Sequence, residues 1–154
     1  MPSAVRIVPF EARHAAALCL RPEAQALLAR LGPMPELART YAAAGPAWTL
    51  LAQGWPLACG GAVRFWPGVG ELWCWAGVEA ASFGVPFARL AREQVRELFC
   101  AHGFHRTQAH VREDDDRAQR FARFLGLELE GRCPGYGPDK ATYQIYGRFT
   151  SWKE

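Results

Sequence analysis

The hydrophobic pattern changes period several times along the chain, and each change marks an element. Residues 5–10 form a short β-like run ending at Pro9-Phe10, and residues 11–20 are alanine-rich and helix-prone. A second helix is predicted over residues 22–31, opened by the first-turn proline Pro22, with Leu27, Leu28 and Leu31 on one face and Gly32 just past its end. Residues 34–44 place Leu37, Ala38 and Tyr41 at helical spacing before Gly45-Pro46 stops them. The period then shifts to that of strands over residues 47–53, 57–66 and 69–78, with turns at Gly54-Trp55-Pro56 and Pro67-Gly68. Connections this short predict an antiparallel meander.

The clearest helical signal is residues 86–102, where Phe87, Leu90, Ala91, Val95, Leu98 and Phe99 recur at i, i+3 and i+4. Arg89, Arg92, Glu93, Arg96 and Glu97 take the other face, Pro86 suits the first turn and Gly103 the stop. Residues 106–112 read as a strand. Asp114, Asp115 and Asp116 offer N-caps for a helix over 117–125, whose inner face is Ala118, Phe121, Ala122 and Leu125 and whose stop is Gly126. Strands over 127–133 and 142–149 close the chain around a loop at 134–140. No repeat, low-complexity tract or linker interrupts the order, so residues 1–154 are expected to form a single domain.

Composition narrows the function classes. Half of the residues are apolar and about a fifth are charged, which is a globular balance. The formal charge of +3 is spread over many scattered arginines without a run of like charge. Nucleic-acid binding is therefore not expected, while an anionic small molecule is compatible with the mild positive balance. No apolar run is long enough to span a bilayer, and the first ten residues lack a secretory pattern, so a cytoplasmic protein with no membrane partner is expected. Five cysteines, Cys19, Cys59, Cys74, Cys100 and Cys133, show no paired spacing and are expected as free thiols. Cys100, His102 and His105 are irregularly spaced with no fourth ligand, so no metal is expected.

Two segments carry a family resemblance. Residues 118–131, Ala-Gln-Arg-Phe-Ala-Arg-Phe-Leu-Gly-Leu-Glu-Leu-Glu-Gly, resemble the late part of the GNAT N-acetyltransferase family, where a helix runs into a Gly-Phe-Glu type strand start; Leu127 stands here for the phenylalanine. Residues 70–78, Gly-Glu-Leu-Trp-Cys-Trp-Ala-Gly-Val, are similar to the family's fourth strand, which carries a glutamate near its start and ends at the cofactor loop. The resemblance implies an α+β fold in α/β/α layers: a central mixed, mostly antiparallel sheet of roughly seven strands flanked by helices. It also implies acetyl-CoA as co-substrate. The fourth and fifth strands would splay around the pantetheine arm, with the backbone of Cys74, Ala76 and Val78 along it. Amides at the next helix start would hold the pyrophosphate. Here that place comprises Phe83, Gly84, Val85, Phe87, Ala88 and Arg89. Phe83 stands where the family has a basic residue and Pro86 where it has glycine, which removes one N–H. Arg89 supplies charge nearby, and Asp115 occupies the place where many relatives carry asparagine, with N-capping as its other role.

By the same resemblance Glu71 is the first candidate for general base, directly or through a water, and His110 on the fifth strand is the second. The family's acid tyrosine, four residues before the glycine, corresponds to Ala122, which leaves Tyr136, Tyr143 and Tyr146 as spatial substitutes or packing residues. Trp73 and Trp75 share a strand face with Glu71, as core or as acceptor wall. Three function classes follow. One is an enzyme moving acetyl from acetyl-CoA to a small-molecule or protein amine by direct attack. Another is a catalytically degenerate protein, similar to phage-encoded GNAT-like proteins in residues 48–61 and 117–131, acting in assembly or associated with a virion. A module binding coenzyme A without turnover is a third. The β-rich edges near the C-terminus are compatible with a homodimer.

Overall fold

The computed structural model describes residues 5–149. Its elements run β1 (Val5–Pro9), α1 (Ala12–Ala16), α2 (Pro22–Leu31), α3 (Met34–Ala43), β2 (Ala47–Ala52), β3 (Trp55–Trp66), β4 (Val69–Ala76), a 3-10 segment (Val78–Phe83), α4 (Gly84–Cys100), β5 (Arg106–Arg112), α5 (Asp116–Phe124), β6 (Glu128–Cys133) and β7 (Tyr143–Phe149). The seven strands form one sheet in the order β1-β2-β3-β4-β5-β7-β6. β5 runs parallel to β4 and antiparallel to β7, and β7 is antiparallel to β6.

Three boundaries differ from the hydrophobic pattern, each for a local reason. α1 is one short turn rather than a helix over 11–20. Arg21 precedes a proline and is extended at φ −63°, ψ 147°, and Leu18 and Leu20 leave the helix to pack on the neighbouring cluster. The first hairpin turns at Gln53-Gly54, both at positive φ (53° and 76°), so Ala52 pairs with Trp55 and β3 begins there. Two left-handed central residues give the turn whose twist matches a hairpin. β4 ends at Ala76, because the Gly77 amide donates to the Leu57 carbonyl and the Val78 amide to that of Cys19. α4 consequently starts at Gly84, two residues before Pro86.

The described residues fall into two compact units: residues up to Val63 with Trp73–Leu90, and Arg64–Leu72 with residues from Ala91 on. In the first unit Phe10, Ala15, Ala38, Cys59 and Trp75 form a buried cluster ringed by Leu18, Leu28, Tyr41 and Trp73. Trp73 and Trp75 lie 4.6 Å apart by ring centroid, with Phe10 and Tyr41 set against them, so the tryptophan pair is core packing. A second cluster joins Ala52, Leu57 and Ala80 to Phe83 and Phe87. In the other unit Ala91, Val95, Val111, Ala122, Leu125, Leu127 and Tyr146 form the core. α5 is capped as its sequence implies, the Asp115 carboxylate accepting from the Ala118 amide at 3.0 Å.

One polar chain is buried in the first unit. His14, 5 % exposed, receives the Glu11 backbone N–H at Nδ1 (3.1 Å) and lies 2.8 Å from the Thr49 hydroxyl, which in turn lies 3.6 Å from the Cys59 thiol. With Nδ1 accepting, the ring is neutral and its proton sits on Nε2, 3.4 Å from Glu11. Burial, with Arg13 beside it, holds His14 below the usual histidine range, and burial pushes the Cys59 thiol up to about 11.

Two stability predictions follow. A group whose folded pKa is depressed contributes stability that is full above its unfolded value, near 6.5, and lost as pH falls through the folded value. Urea midpoints should therefore fall between pH 7 and pH 5 in the native chain, and His14→Gln should flatten that slope. A Cβ at Gly61 would sit 2.4 Å from the Pro46 carbonyl and 2.8 Å from Ala47, both backbone neighbours. Gly61→Ala should cost about 1–3 kcal/mol by overpacking, read in the same denaturant titration.

Candidate active site

β5 presents two unlike faces because successive side chains alternate. Thr107 and Val111 are buried, and Val111 and Ala109 pack on the core beneath α4 and α5. Arg106, Gln108, His110 and Arg112 point the other way. The β4–β5 ladder consists of Val69↔Arg106, Gly70↔Thr107 and Glu71↔Gln108, whereas β7 pairs with β5 along its whole length to Arg112. Glu71 thus stands at the last register pair of the parallel ladder.

The Glu71 carboxylate accepts three hydrogen bonds. Gln108 Nε2 donates to Oε1 at 3.1 Å; the His110 backbone N–H donates to Oε2 at 3.1 Å; His110 Nδ1 lies 2.7 Å from the same oxygen. An ionised carboxylate has only acceptor sites, so Nδ1 carries the ring proton and Nε2 is the basic nitrogen. The amide of Gln108 is oriented in turn, since its Oε1 accepts from Arg106 Nε and Nη2 at 3.3 and 3.2 Å. Arg106 grips Glu130 through both terminal nitrogens at 2.9 and 2.5 Å, and this ion pair holds Glu130 below the usual carboxylate range. Glu71 and His110, the two candidate bases, are therefore brought together as one hydrogen-bonded pair, and both side chains are largely buried.

The β6–β7 loop closes over this pair. The Tyr136 ring stacks on the His110 imidazole at 4.1 Å and 9°, and Tyr143 meets Tyr136 edge-on at 5.4 Å. Of the tyrosines proposed to replace the acid, Tyr146 is fully buried with its hydroxyl on Gln144, Tyr143 packs under the Arg112 guanidinium, and Tyr136 is 54 % exposed. Ala122, which the resemblance matched to the family's tyrosine, is 3 % exposed within the core. Sequence reading singled out Glu71 and His110 but not Gln108 or the Tyr136 stack. The period-2 alternation from His110 back to Gln108 was the available signal for the first; nothing local announced the second.

The residues assigned to acetyl-CoA lie along β4 and the start of α4. Cys74 and Ala76 have exposed side chains on one face of β4. The Val78 amide is taken up by Cys19, so this residue offers its carbonyl rather than a donor. At the helix start, Gly84 N–H bonds to the Ala81 carbonyl and Pro86 has no N–H, so two of the four first-turn amides are unavailable to a phosphate. Phe83 and Phe87 pack into the small Ala52–Leu57–Ala80 cluster, Val85 is 60 % exposed, Gly84 has open space where a side chain would be, and Arg89 is exposed. Asp115 is engaged as the α5 cap.

No protein-family model matches the sequence, and no curated protein matches it significantly. Solved structures match throughout. A GNAT-family acetyltransferase from Bacillus anthracis superposes with TM-score 0.75 at 12% identity over 100% of this chain and 99% of that one. An N-acetyltransferase from Staphylococcus aureus gives 0.72 at 14% over 96% and 99%. A ribosomal-protein-S5-alanine acetyltransferase from Vibrio fischeri gives 0.69 at 14% over 97% and 96%. With the strand order, the mixed sheet and these superpositions together, the chain has the fold of the GNAT acetyltransferases.

Proposed function

We propose that this protein is an N-acetyltransferase that moves acetyl from acetyl-CoA to a primary amine, with His110 as general base and Glu71 as its orienting partner. The observation that carries the reading is the 2.7 Å contact between His110 Nδ1 and Glu71 Oε2 at the last register pair of the β4–β5 ladder, on a GNAT fold. The sequence favoured Glu71 as base. The geometry favours the imidazole, because the carboxylate already accepts three hydrogen bonds and fixes the tautomer that leaves Nε2 basic.

The amine nitrogen attacks the thioester carbonyl carbon, and the carbonyl electron pair moves onto oxygen. His110 Nε2 takes the proton that nitrogen loses as the C–N bond forms. The carbonyl re-forms, the C–S bond breaks, and coenzyme A leaves as a thiolate that is protonated by solvent, while His110 returns its proton to solvent. A thiolate is a weak enough base to leave without an acid, which is consistent with alanine at position 122. The backbone of Cys74 and Ala76 would hold the pantetheine arm of the co-substrate and residues 83–89 its diphosphate, with Arg89 supplying charge where Gly84 and Pro86 offer no free amide. The assembly-protein reading draws on that same loss of donors.

Two measurements separate these readings. Thiol release from acetyl-CoA, followed against polyamines, amino-acid derivatives and peptides with free N-termini, should identify an acceptor. On it His110→Ala should lower kcat/KM by about 10²-fold or more and Glu71→Gln by a smaller factor in kcat. Coenzyme A should raise the melting temperature of the native protein, and Arg89→Ala should reduce that rise. An unchanged melting temperature at millimolar coenzyme A, with no thiol release, would leave the non-catalytic reading standing.

A further inference from the structure

The β6–β7 loop is built with more constraint than a connection needs. Gly135 and Lys140 both adopt left-handed backbone, at φ 69° and 67°. A side chain at Gly137 would come within 2.7 Å of Asp139 Oδ1 and of the Tyr143 ring. The Gly137 amide donates to the Ala141 carbonyl, the Lys140 amide to that of Gly137, and the Ala141 amide to Asp139 Oδ1. Arg112, two residues beyond His110 on the same face of β5, holds this loop from below. Its Nη1 donates to Asp139 Oδ2 at 2.8 Å, its Nε to Asp114 Oδ1 at 3.1 Å, and its guanidinium lies 5.9 Å from the Tyr143 ring centre. Asp139 is held below the usual carboxylate range by that guanidinium.

The outcome of all this order is one aromatic ring, half in water, laid flat on the imidazole. Burial does not explain a tyrosine that keeps 54 % of its surface exposed. Its neighbour does. The imidazole can swing about its Cβ–Cγ bond, which would carry Nδ1 away from Glu71 and break the hydrogen bond that sets its tautomer. A parallel ring at 4.1 Å blocks the swing.

We propose that Tyr136 is a positioning residue for His110: its ring face keeps the imidazole from turning away from Glu71, which sets the tautomer, and Arg112 with Asp139 is the clamp that orders the loop carrying Tyr136. The proposal rests on the reading of His110 as base for its catalytic consequence, but not for its structural one. The role belongs to the ring face, which phenylalanine keeps.

The test uses the full chain with ¹⁵N-histidine, the two ring nitrogens being read by two-bond proton–nitrogen correlation at pH 8 and the His110 signals assigned by their loss in His110→Ala. The native protein shows one tautomer, protonated at Nδ1. Tyr136→Leu shows averaged nitrogen shifts from exchange between tautomers, Tyr136→Phe restores the native pattern, and Asp139→Asn moves it part of the way towards Tyr136→Leu. With an acceptor in hand, Tyr136→Leu lowers kcat about tenfold or more while KM for acetyl-CoA is unchanged, and Tyr136→Phe does neither. A native imidazole pattern in Tyr136→Leu overturns the proposal, as does damage in Tyr136→Phe equal to that in Tyr136→Leu. Should Tyr136→Leu fail to fold, an unaltered pattern in Asp139→Asn overturns the clamp. The spectra need no substrate, so a chain that acetylates nothing would overturn the enzymatic reading while these spectra still judge the stack.

Discussion

A carboxylate set among packed strands must be answered by donors, and the way Glu71 is answered organises the polar face around it. All three of its donors belong to two residues of β5, Gln108 and His110. Charge-assisted bonds of this kind are worth more than neutral ones, and leaving the carboxylate without them would carry its full desolvation penalty. The register of β4 on β5 is thereby tied to the orientation of two side chains. Gln108 is oriented by Arg106, and Arg106 by Glu130 on β6. On the other side His110 is stacked by Tyr136, whose loop is held by Arg112. One strand thus collects its partners from β4, β6 and the β6–β7 loop, and each contact removes a freedom that the next would otherwise have.

The opposite face of β5 does the packing. Val111 and Ala109 join Ala91, Val95, Ala122 and Tyr146 in the core under α4 and α5. On this face α5 contributes an alanine, Ala122, without leaving a gap. Ala122 is in close contact with that core at 3 % exposure, and a tyrosine there would need both volume and a hydrogen-bond partner for its hydroxyl. The start of α4 shows a parallel economy. Proline at position 86 and the bonded amide of Gly84 leave fewer free backbone donors there than a glycine-rich loop would, and Arg89 puts an exposed charge in the same segment.

Much of the architecture was legible in the chain because it is encoded by local period and punctuation. α4 and α5 follow from i, i+3, i+4 spacing, the α5 start from an aspartate cap, and its stop from Gly126, which sits at φ 91° where glycine carries no Cβ penalty. Residues 70–78 and 118–131 carried the GNAT resemblance. Where local signals compete, the pattern misled. Alanine-rich residues 11–20 looked helical, yet packing of Leu18 and Leu20 and the pre-proline Arg21 end α1 at Ala16. The turn at Gln53-Gly54 depends on a glutamine in left-handed backbone, which composition does not announce.

The sequence by itself determined which polar groups the two strands carry: a glutamate early in β4 and a histidine in β5. Only the tertiary structure decided that the glutamate and histidine, 39 residues apart, meet at 2.7 Å, that Gln108 also bonds the carboxylate, and that a loop tyrosine lies on the imidazole. The reason is physical. Period and caps are short-range properties written in neighbouring residues, whereas a hydrogen bond between strands depends on register, and a stacked ring depends on loop dihedrals set by an ion pair elsewhere in the fold.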